Sequence, residues 1–205
     1  MTTLILVRHG RTAWNAVERF RGREDLSLDD TGLAQAERAA ERIARRWRPT
    51  AVYSSPLVRA RQTAEAIARR CGLLVQIHPG LIDIDYGRWQ GLTPEEATQR
   101  HPRRTRNWYR GTWWSRPPGG EALRAVKRRC LKTVADIARR HAGQTVVAVG
   151  HTVVNRAILL GALSLGLGRF WHLRQEPCAL NVIETDGHAF VLVSMNDTCH
   201  LQESA

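Results

Sequence analysis

Lysine is almost missing from this 205-residue chain. Of 31 basic side chains only Lys127 and Lys132 are not arginine, and 19 acidic ones leave a formal net charge of +12. The excess is spread, as at Arg45-Arg46, Arg69-Arg70 and Arg139-Arg140, and no block of one sign is long enough to be a disordered tail. Cysteine is scarce too. Cys71, Cys130, Cys178 and Cys199 lack any paired metal-ligand spacing, so they read as core or surface thiols in a reducing compartment. Carboxylates nowhere gather into a set that would hold Mg²⁺ or Ca²⁺, and no metal is expected. No apolar run is long enough to span a bilayer. A strand-like run begins within three residues of the start, so no signal peptide and a cytoplasmic protein are expected. At this length one domain, 1–205, with a substantial core is expected.

What the chain does have is three short apolar runs that each end in cations. Thr3–Val7 (TLILV) stops at Arg8-His9-Gly10, with Thr12 and Asn15 just beyond. A buried strand that stops at a glycine turn holds such groups at the carboxyl end of a sheet, where open α/β folds place ligands. Taken alone, this run is equally an ordinary β-turn with an exposed histidine. Val146–Val149 repeats the pattern, ending in Gly150-His151 and followed by Asn155 and Arg156. Ala51–Tyr53 ends in Ser54-Ser55-Pro56, then Arg59 and Arg61. If these strands lie parallel and adjacent, their cations and helix N-termini converge on one anion-sized site.

Between the runs the periodicity is helical. Leu33, Ala36, Ala40, Ile43 and Trp47 fall three and four apart and predict an amphipathic helix that Pro49 ends. A second helix is predicted over about 57–70, with Ser54 or Ser55 as its cap, Pro56 at its first position and Gly72 as its stop. Leu73–Ile77 reads as a strand, and Thr93 caps a short helix. Gly119-Gly120 leads into a long helix with Leu123, Val126, Cys130, Val134 and Ile137 as its core stripe and Glu121 in its first turn. A helix over about 153–160 and a β-hairpin, Leu180–Thr185 and Ala189–Ser194 about Asp186-Gly187, follow. This order predicts an α/β fold, a three-layer α/β/α sandwich with a mostly parallel central sheet.

Two loops carry further chemistry. Leu81–Gly91 (LIDIDYGRWQG) holds Asp83 and Asp85, which read as one functional carboxylate and one that ties down the turn, or as two solvated loop carboxylates. His101–Pro118 interleaves Trp108, Tyr109, Trp113 and Trp114 with Arg103, Arg104, Arg106, Arg110 and Arg116. Such a mixture can stack bases and hold phosphates. It can equally form the apolar underside of a lid, here at about 92–120, and the spread of arginine over helix surfaces favours the lid.

Leu6–Asn15 (LVRHGRTAWN) closely resembles the Arg-His-Gly signature of the histidine phosphatase superfamily, phosphoglycerate-mutase-like branch. The resemblance covers nearly the whole chain, in order: Leu26–Gln35 (LSLDDTGLAQ), Ser54–Thr63 (SSPLVRARQT), Leu81–Gly91, Gly119-Gly120-Glu121 and Val149-Gly150-His151. It implies a phosphoglycerate-mutase-like fold and a phosphomonoesterase that needs no metal or other cofactor. In that chemistry a neutral histidine attacks phosphorus while fixed cations offset the charge on the equatorial oxygens. His9 is then the nucleophile, forming a phosphohistidine. Arg8 and Arg59 supply fork donors, and His151, protonated, adds charge. Asn15 and Thr152 complete the phosphate contacts.

By the same resemblance Asp83 is the acid that protonates the leaving alcohol, at a position where the branch normally has glutamate. Substrate contacts are expected from Arg11, Thr12, Arg21, Tyr86, Arg106, Trp108, Trp113 and Glu121. The substrate is expected to be a small phosphorylated metabolite with a second anionic group, drawn by the basic mouth. Glycolytic mutases of this branch carry a longer insertion after the acidic motif, so hydrolysis is favoured over phosphoglycerate mutation by the same intermediate. A basic nucleic-acid-binding protein is the alternative from another class. No specific nucleic acid and no membrane is expected as a partner, and a homodimer is left open.

Overall fold

The computed structural model describes residues 1–15, 17–110 and 114–202. Its frame is a six-stranded sheet. Strand β1 (Thr2–Arg8) pairs in parallel with β4 (Thr145–Gly150), and β4 with β2 (Ala51–Ser54). Beyond β2 lies β3 (Val75–Ile77), also parallel. On the other side β1 pairs antiparallel with β5 (Leu180–Thr185), and β5 with β6 (Phe190–Asp197), giving the order β3-β2-β4-β1-β5-β6. The three cation-ended strands are therefore neighbours, β2-β4-β1, and end together.

The two-residue alternation of a strand sorts each side chain to one face. Leu4 and Leu6 of β1 and Val146 and Ala148 of β4 enter one core. Ile5, Val7, Val147 and Val149 enter the other. Over the first face lie α5 (Leu123–Arg140) and α6 (Thr152–Ala162), over the second α1 (Asp30–Arg46) and α2 (Val58–Cys71). The α5 stripe is buried as its spacing requires. In α1 the buried set is Gly32, Ala36, Ala39, Ala40 and Ile43, while Leu33 is exposed. Packing at that end is set by backbone rather than by leucine. A Cβ on Gly32 would stand 2.0 Å from the carbonyl oxygen of Arg11, and one on Gly10 would stand 2.5 Å from that of Gly32. Only two glycines let the helix start press against the loop that follows β1.

Neither serine caps α2. Its N-cap residue is Leu57, and the amide of Val58 donates at 2.7 Å to Asp25 Oδ1 from a distant loop. Gly72, at φ 67°, ends that helix in the left-handed conformation. Thr93 makes a reciprocal capping box with Glu96 at the start of α3 (Pro94–Arg100). Helix α4 (Pro102–Tyr109) follows and drives Trp108 into the first core, edge-on to Tyr86 and Trp89. Glu121 lies outside α5, ahead of the N-cap Ala122, and not in its first turn. All four cysteines are free. No helix among the described residues is long and apolar enough to cross a membrane.

Candidate active site

Strand β1 delivers Arg8 and His9 to the carboxyl edge of the sheet, and the adjacent end of β4 delivers His151. The two backbones are joined there by the His9 amide donating to Gly150 O at 3.0 Å. The imidazoles lie 5.2 Å apart, centroid to centroid, and both are buried. His9 Nδ1 is 2.7 Å from the carbonyl oxygen of Gly10. A carbonyl only accepts, so Nδ1 carries the proton and Nε2 keeps its lone pair. The Gly10 amide is in turn held by Thr63 Oγ1 at 3.0 Å, which fixes the loop that aims the ring.

Arg59 comes from the first turn of α2 and is fully buried. Its guanidinium donates to Glu24 O at 2.7 Å, to Gly22 O at 2.7 Å and to Asp83 Oδ2 at 3.2 Å. Arg8 donates to Gln175 O at 2.5 Å. The same Asp83 oxygen is 3.7 Å from His151 Nδ1, a nitrogen without a hydrogen-bond partner among the described residues. His151 Nε2 faces Ser55 Oγ at 2.8 Å. Beside these groups opens a cleft of about 370 Å³, lined by His9, Arg8 and Asp83 together with Asn15, Arg21, Tyr86 and Thr152, while Arg59 and His151 are fully buried and outside its lining.

Burial sets the electrostatics. Desolvation, and then Arg59, hold His9 well below the ordinary imidazole value, and the same two causes act on His151. Both shifts favour the neutral ring in the free site, whereas the resemblance implies a protonated His151. Desolvation raises Asp83 against the opposing pull of Arg59, favouring its protonated form. Burial, and then Arg21, bring Arg8 down to about 9, still charged at neutral pH.

The remaining expected contacts divide. Asn15 lines the cleft, and its Oδ1 accepts from the amide and hydroxyl of Thr12, so Thr12 is buried behind it and outside the cleft lining. Arg11 is exposed and turned to Asp29 at 2.9 Å. Arg106 is exposed on α4 and does not line the cleft. Trp108 does not reach it either, because its indole is wholly buried among Tyr86, Trp89 and Phe170. Trp113 lies outside the described residues. Glu121 clamps Arg129 at 2.9 and 3.0 Å, and Arg129 donates to Gly80 O at 2.9 Å and Asp83 O at 3.2 Å. Its link to the site is through the backbone that presents Asp83. Asp85 Oδ1 accepts from the Gly87 amide at 2.7 Å and ties the following turn.

Sequence reasoning singled out Arg156 and Tyr109 without assigning them substrate contacts, and missed the rest of the far wall of the cleft. Phe170, Trp171, Arg174 and Glu176 line it, with Arg156 from α6 and Tyr109 from α4. The one signal for them was an aromatic pair beside an arginine in an otherwise plain glycine-leucine link. Among the described residues no three His, Cys, Asp or Glu side chains are placed to hold a metal ion.

A buried histidine aimed by its own loop, ringed by arginines at the ends of parallel strands, is the site of a phosphoryl-transfer enzyme. The sequence profile of the histidine phosphatase superfamily (branch 1) matches residues 4–198, and the chain belongs to that family. It is 36% identical over 203 residues to phosphoserine phosphatase 1 of Hydrogenobacter thermophilus, covering 99% of this chain and 96% of that one. It is 34% identical over 210 residues to a metal-independent phosphoserine phosphatase of Arabidopsis thaliana, covering 98% and 84%. The solved structure of Bacillus stearothermophilus YhfR superposes with a TM-score of 0.93 at 30% identity, covering 98% of this chain and 100% of that one. The chain is accordingly an enzyme with the phosphatase chemistry of its family.

Proposed function

We propose that the enzyme is a phosphomonoesterase that works through a phosphohistidine on Nε2 of His9. The observation that carries this is the 2.7 Å contact from His9 Nδ1 to Gly10 O, which leaves Nε2 as the free lone pair in an arginine-lined cleft. In the first step Nε2 attacks phosphorus, the P–O ester bond breaks, and Asp83 gives its proton to the departing alkoxide. In the second, Asp83 takes a proton from water as that oxygen attacks phosphorus, and the P–N bond breaks to release phosphate and neutral His9. Arg8 and Arg59 hold the equatorial oxygens, with Arg21, Asn15 and Thr152 beside them, and no step calls for a metal. A metal-independent relative supports that last point. Segment 92–120 supplies Pro94 and Tyr109 to the cleft and acts as its partial lid.

The substrate is a small phosphorylated metabolite carrying a second anionic group, and O-phosphoserine, named in two relatives, is the first to try. Acid-labile radiolabel from ³²P-phosphoserine, quenched in mild alkali, should map to His9 and vanish in His9→Ala together with turnover. Label on His151, or on a serine or aspartate, would overturn the assignment.

A further inference from the structure

The two arginines that hold the equatorial oxygens in the proposed mechanism are themselves held very differently. Arg59 donates to three acceptors, Glu24 O, Gly22 O and Asp83 Oδ2. Arg8 makes one guanidinium hydrogen bond among the described residues, Nη1 donating to Gln175 O at 2.5 Å, and its Nε has no partner there. The aim of Arg8 therefore rests on its strand and on that one carbonyl. Gln175 lies in a stretch, 173–178, that is neither helix nor strand, so no backbone ladder fixes where the carbonyl points.

Side-chain amides fix it instead. The peptide unit that joins residues 175 and 176 is gripped at both ends: its carbonyl takes Arg8, and its N–H, that of Glu176, donates to Asn196 Oδ1 at 2.7 Å. The Gln175 side chain closes a reciprocal amide ring with Asn181. Gln175 Nε2 donates to Asn181 Oδ1 at 2.8 Å, and Asn181 Nδ2 donates back to Gln175 Oε1 at 2.9 Å. Asn181 can sit only one way round, because its Nδ2 also donates to Leu6 O at 3.0 Å and its Oδ1 also accepts from the Asn196 amide at 2.9 Å. Gln175 Nε2 makes a second bond to Arg174 O at 2.9 Å, so every side-chain donor and acceptor of the pair is met. Burial of two amides is tolerable only on that condition. Both are buried, and Asn181 stands opposite Leu6 on β5, in a slot that an apolar side chain of the first core would fill without any such demand. Asn196 completes the frame at φ 53°, a left-handed conformation that asparagine adopts more readily than most residues.

We infer that Gln175, Asn181 and Asn196 are positioning residues for Arg8: together they set the peptide unit whose carbonyl aims its guanidinium at the phosphoryl oxygens. This rests on the reading that Arg8 holds those oxygens. Arg174 and Glu176 ride on the same stretch, so the frame also sets that part of the cleft wall.

The experiment measures the affinity of inorganic phosphate by calorimetry, and kcat/KM for an aryl phosphate, in Gln175→Met, Asn196→Gly and Asn196→Asp, each alone and combined with Arg8→Lys. Gln175→Met keeps the side-chain length and loses the amide ring. Asn196→Gly keeps the left-handed backbone and loses the acceptor. Each should weaken phosphate binding and lower kcat/KM by about 10- to 100-fold, the scale of a roughly 1 Å misplacement transmitted from outside the chemistry. Asn196→Asp, which keeps the acceptor oxygen, should recover most of that loss. In the Arg8→Lys background the same substitutions should change either quantity by less than about two-fold, because residues that act through one group are not additive with its loss. A merely structural role would cost the same factor with or without Arg8. Urea melts are scored separately, and Asn196 is only half-buried, so its variants test the frame even if Gln175→Met does not fold. Losses that multiply in the double variants, or an Asn196→Asp enzyme no better than Asn196→Gly, overturn the inference. An Arg8→Lys enzyme that binds phosphate as the natural enzyme does defeats the reading of Arg8 and the inference with it. If Arg8→Lys weakens phosphate while Gln175→Met and Asn196→Gly do not, the inference alone falls.

Discussion

Asp83→Asn is the sharpest probe of the proposed mechanism, because this carboxyl group would have two distinct jobs in it. Its Oδ2 is 3.2 Å from Arg59 and 3.7 Å from His151 Nδ1, so the group holds a proton for the leaving oxygen in its neutral form and is a negative charge among cations once ionised. Asparagine keeps the shape and removes both. As a proton source, the group should be worth about 10²–10⁴ in rate for an alkyl phosphate, or ~2.7–5.4 kcal/mol at ~1.36 kcal/mol per decade. For an aryl phosphate with an acidic leaving group the first step should hardly change. Dephosphorylation should still slow, because water has lost its base, so the aryl substrate should show a burst followed by a slow steady state. Where it is ionised the aspartate repels a phosphate dianion, and there Asp83→Asn should also bind inorganic phosphate more tightly. The assay is kcat/KM against leaving-group pKa, with rapid-quench bursts and phosphate inhibition, in Asp83→Asn and Asp85→Asn. Asp85 ties the Gly87 amide, and its loss should lower stability and affect all substrates alike. A steep leaving-group dependence in Asp85→Asn and a flat one in Asp83→Asn would refute the assignment of the acid.

Exhaustive dialysis against a chelator should leave turnover intact, and a loss that Mg²⁺ or Zn²⁺ restores would sink the metal-free mechanism. Trp108→Ala should destabilise the fold by about 3–5 kcal/mol in urea unfolding, as for other large core truncations, and a change confined to KM would return Trp108 to the substrate. Stability of the free enzyme should fall as pH drops below the ordinary imidazole value of 6.5, since the unfolded chain takes up protons that buried His9 and His151 refuse. Asp83 acts in the opposite sense, binding its proton more tightly folded than unfolded above 3.8. His78 and His200, also lowered by desolvation, act with His9 and His151, so a flat stability profile between pH 7 and 5 would contradict the neutral histidines.

Much of this site was legible in the chain because it is built from strand ends. Apolar runs of four or five residues fix where a buried strand stops, and the next residues then have nowhere to go but the sheet edge. That logic reaches Arg8, His9 and His151 without any tertiary information, and Arg59 lies one turn further on. It fails where a side chain's surroundings come from distant segments. Trp108 and Arg106 stand two apart in one aromatic-basic stretch, yet one is sealed in the core and the other is outside, because α4 shows its faces to different neighbours. Leu33 has the spacing of a core residue and is exposed, because Gly32 brings that end of α1 too close to the Arg11 backbone for a side chain between them. The cap of α2 comes from Asp25 and not from an adjacent serine. Local pattern cannot see a partner contributed from 33 residues away.

The protonation states tie these pieces together. Burial, and then the charge of Arg59, favours the neutral form of both histidines, and burial favours the protonated form of Asp83 against the pull of Arg59. A neutral nucleophile beside a protonated acid is the pair of states that attack on a phosphate ester needs. A bound dianion supplies the opposite charge, so His151, whose Nδ1 has no other hydrogen-bond partner among the described residues, gains a reason to bind a proton when the substrate arrives. Proton uptake should therefore accompany phosphate binding near neutral pH, and the same proton strengthens the hold on the equatorial oxygens as charge gathers there. Burial first and the arginines second thus favour a neutral His9, as the proposed attack requires, and a guanidinium supplies its charge without the drift with pH that a titrating lysine would bring.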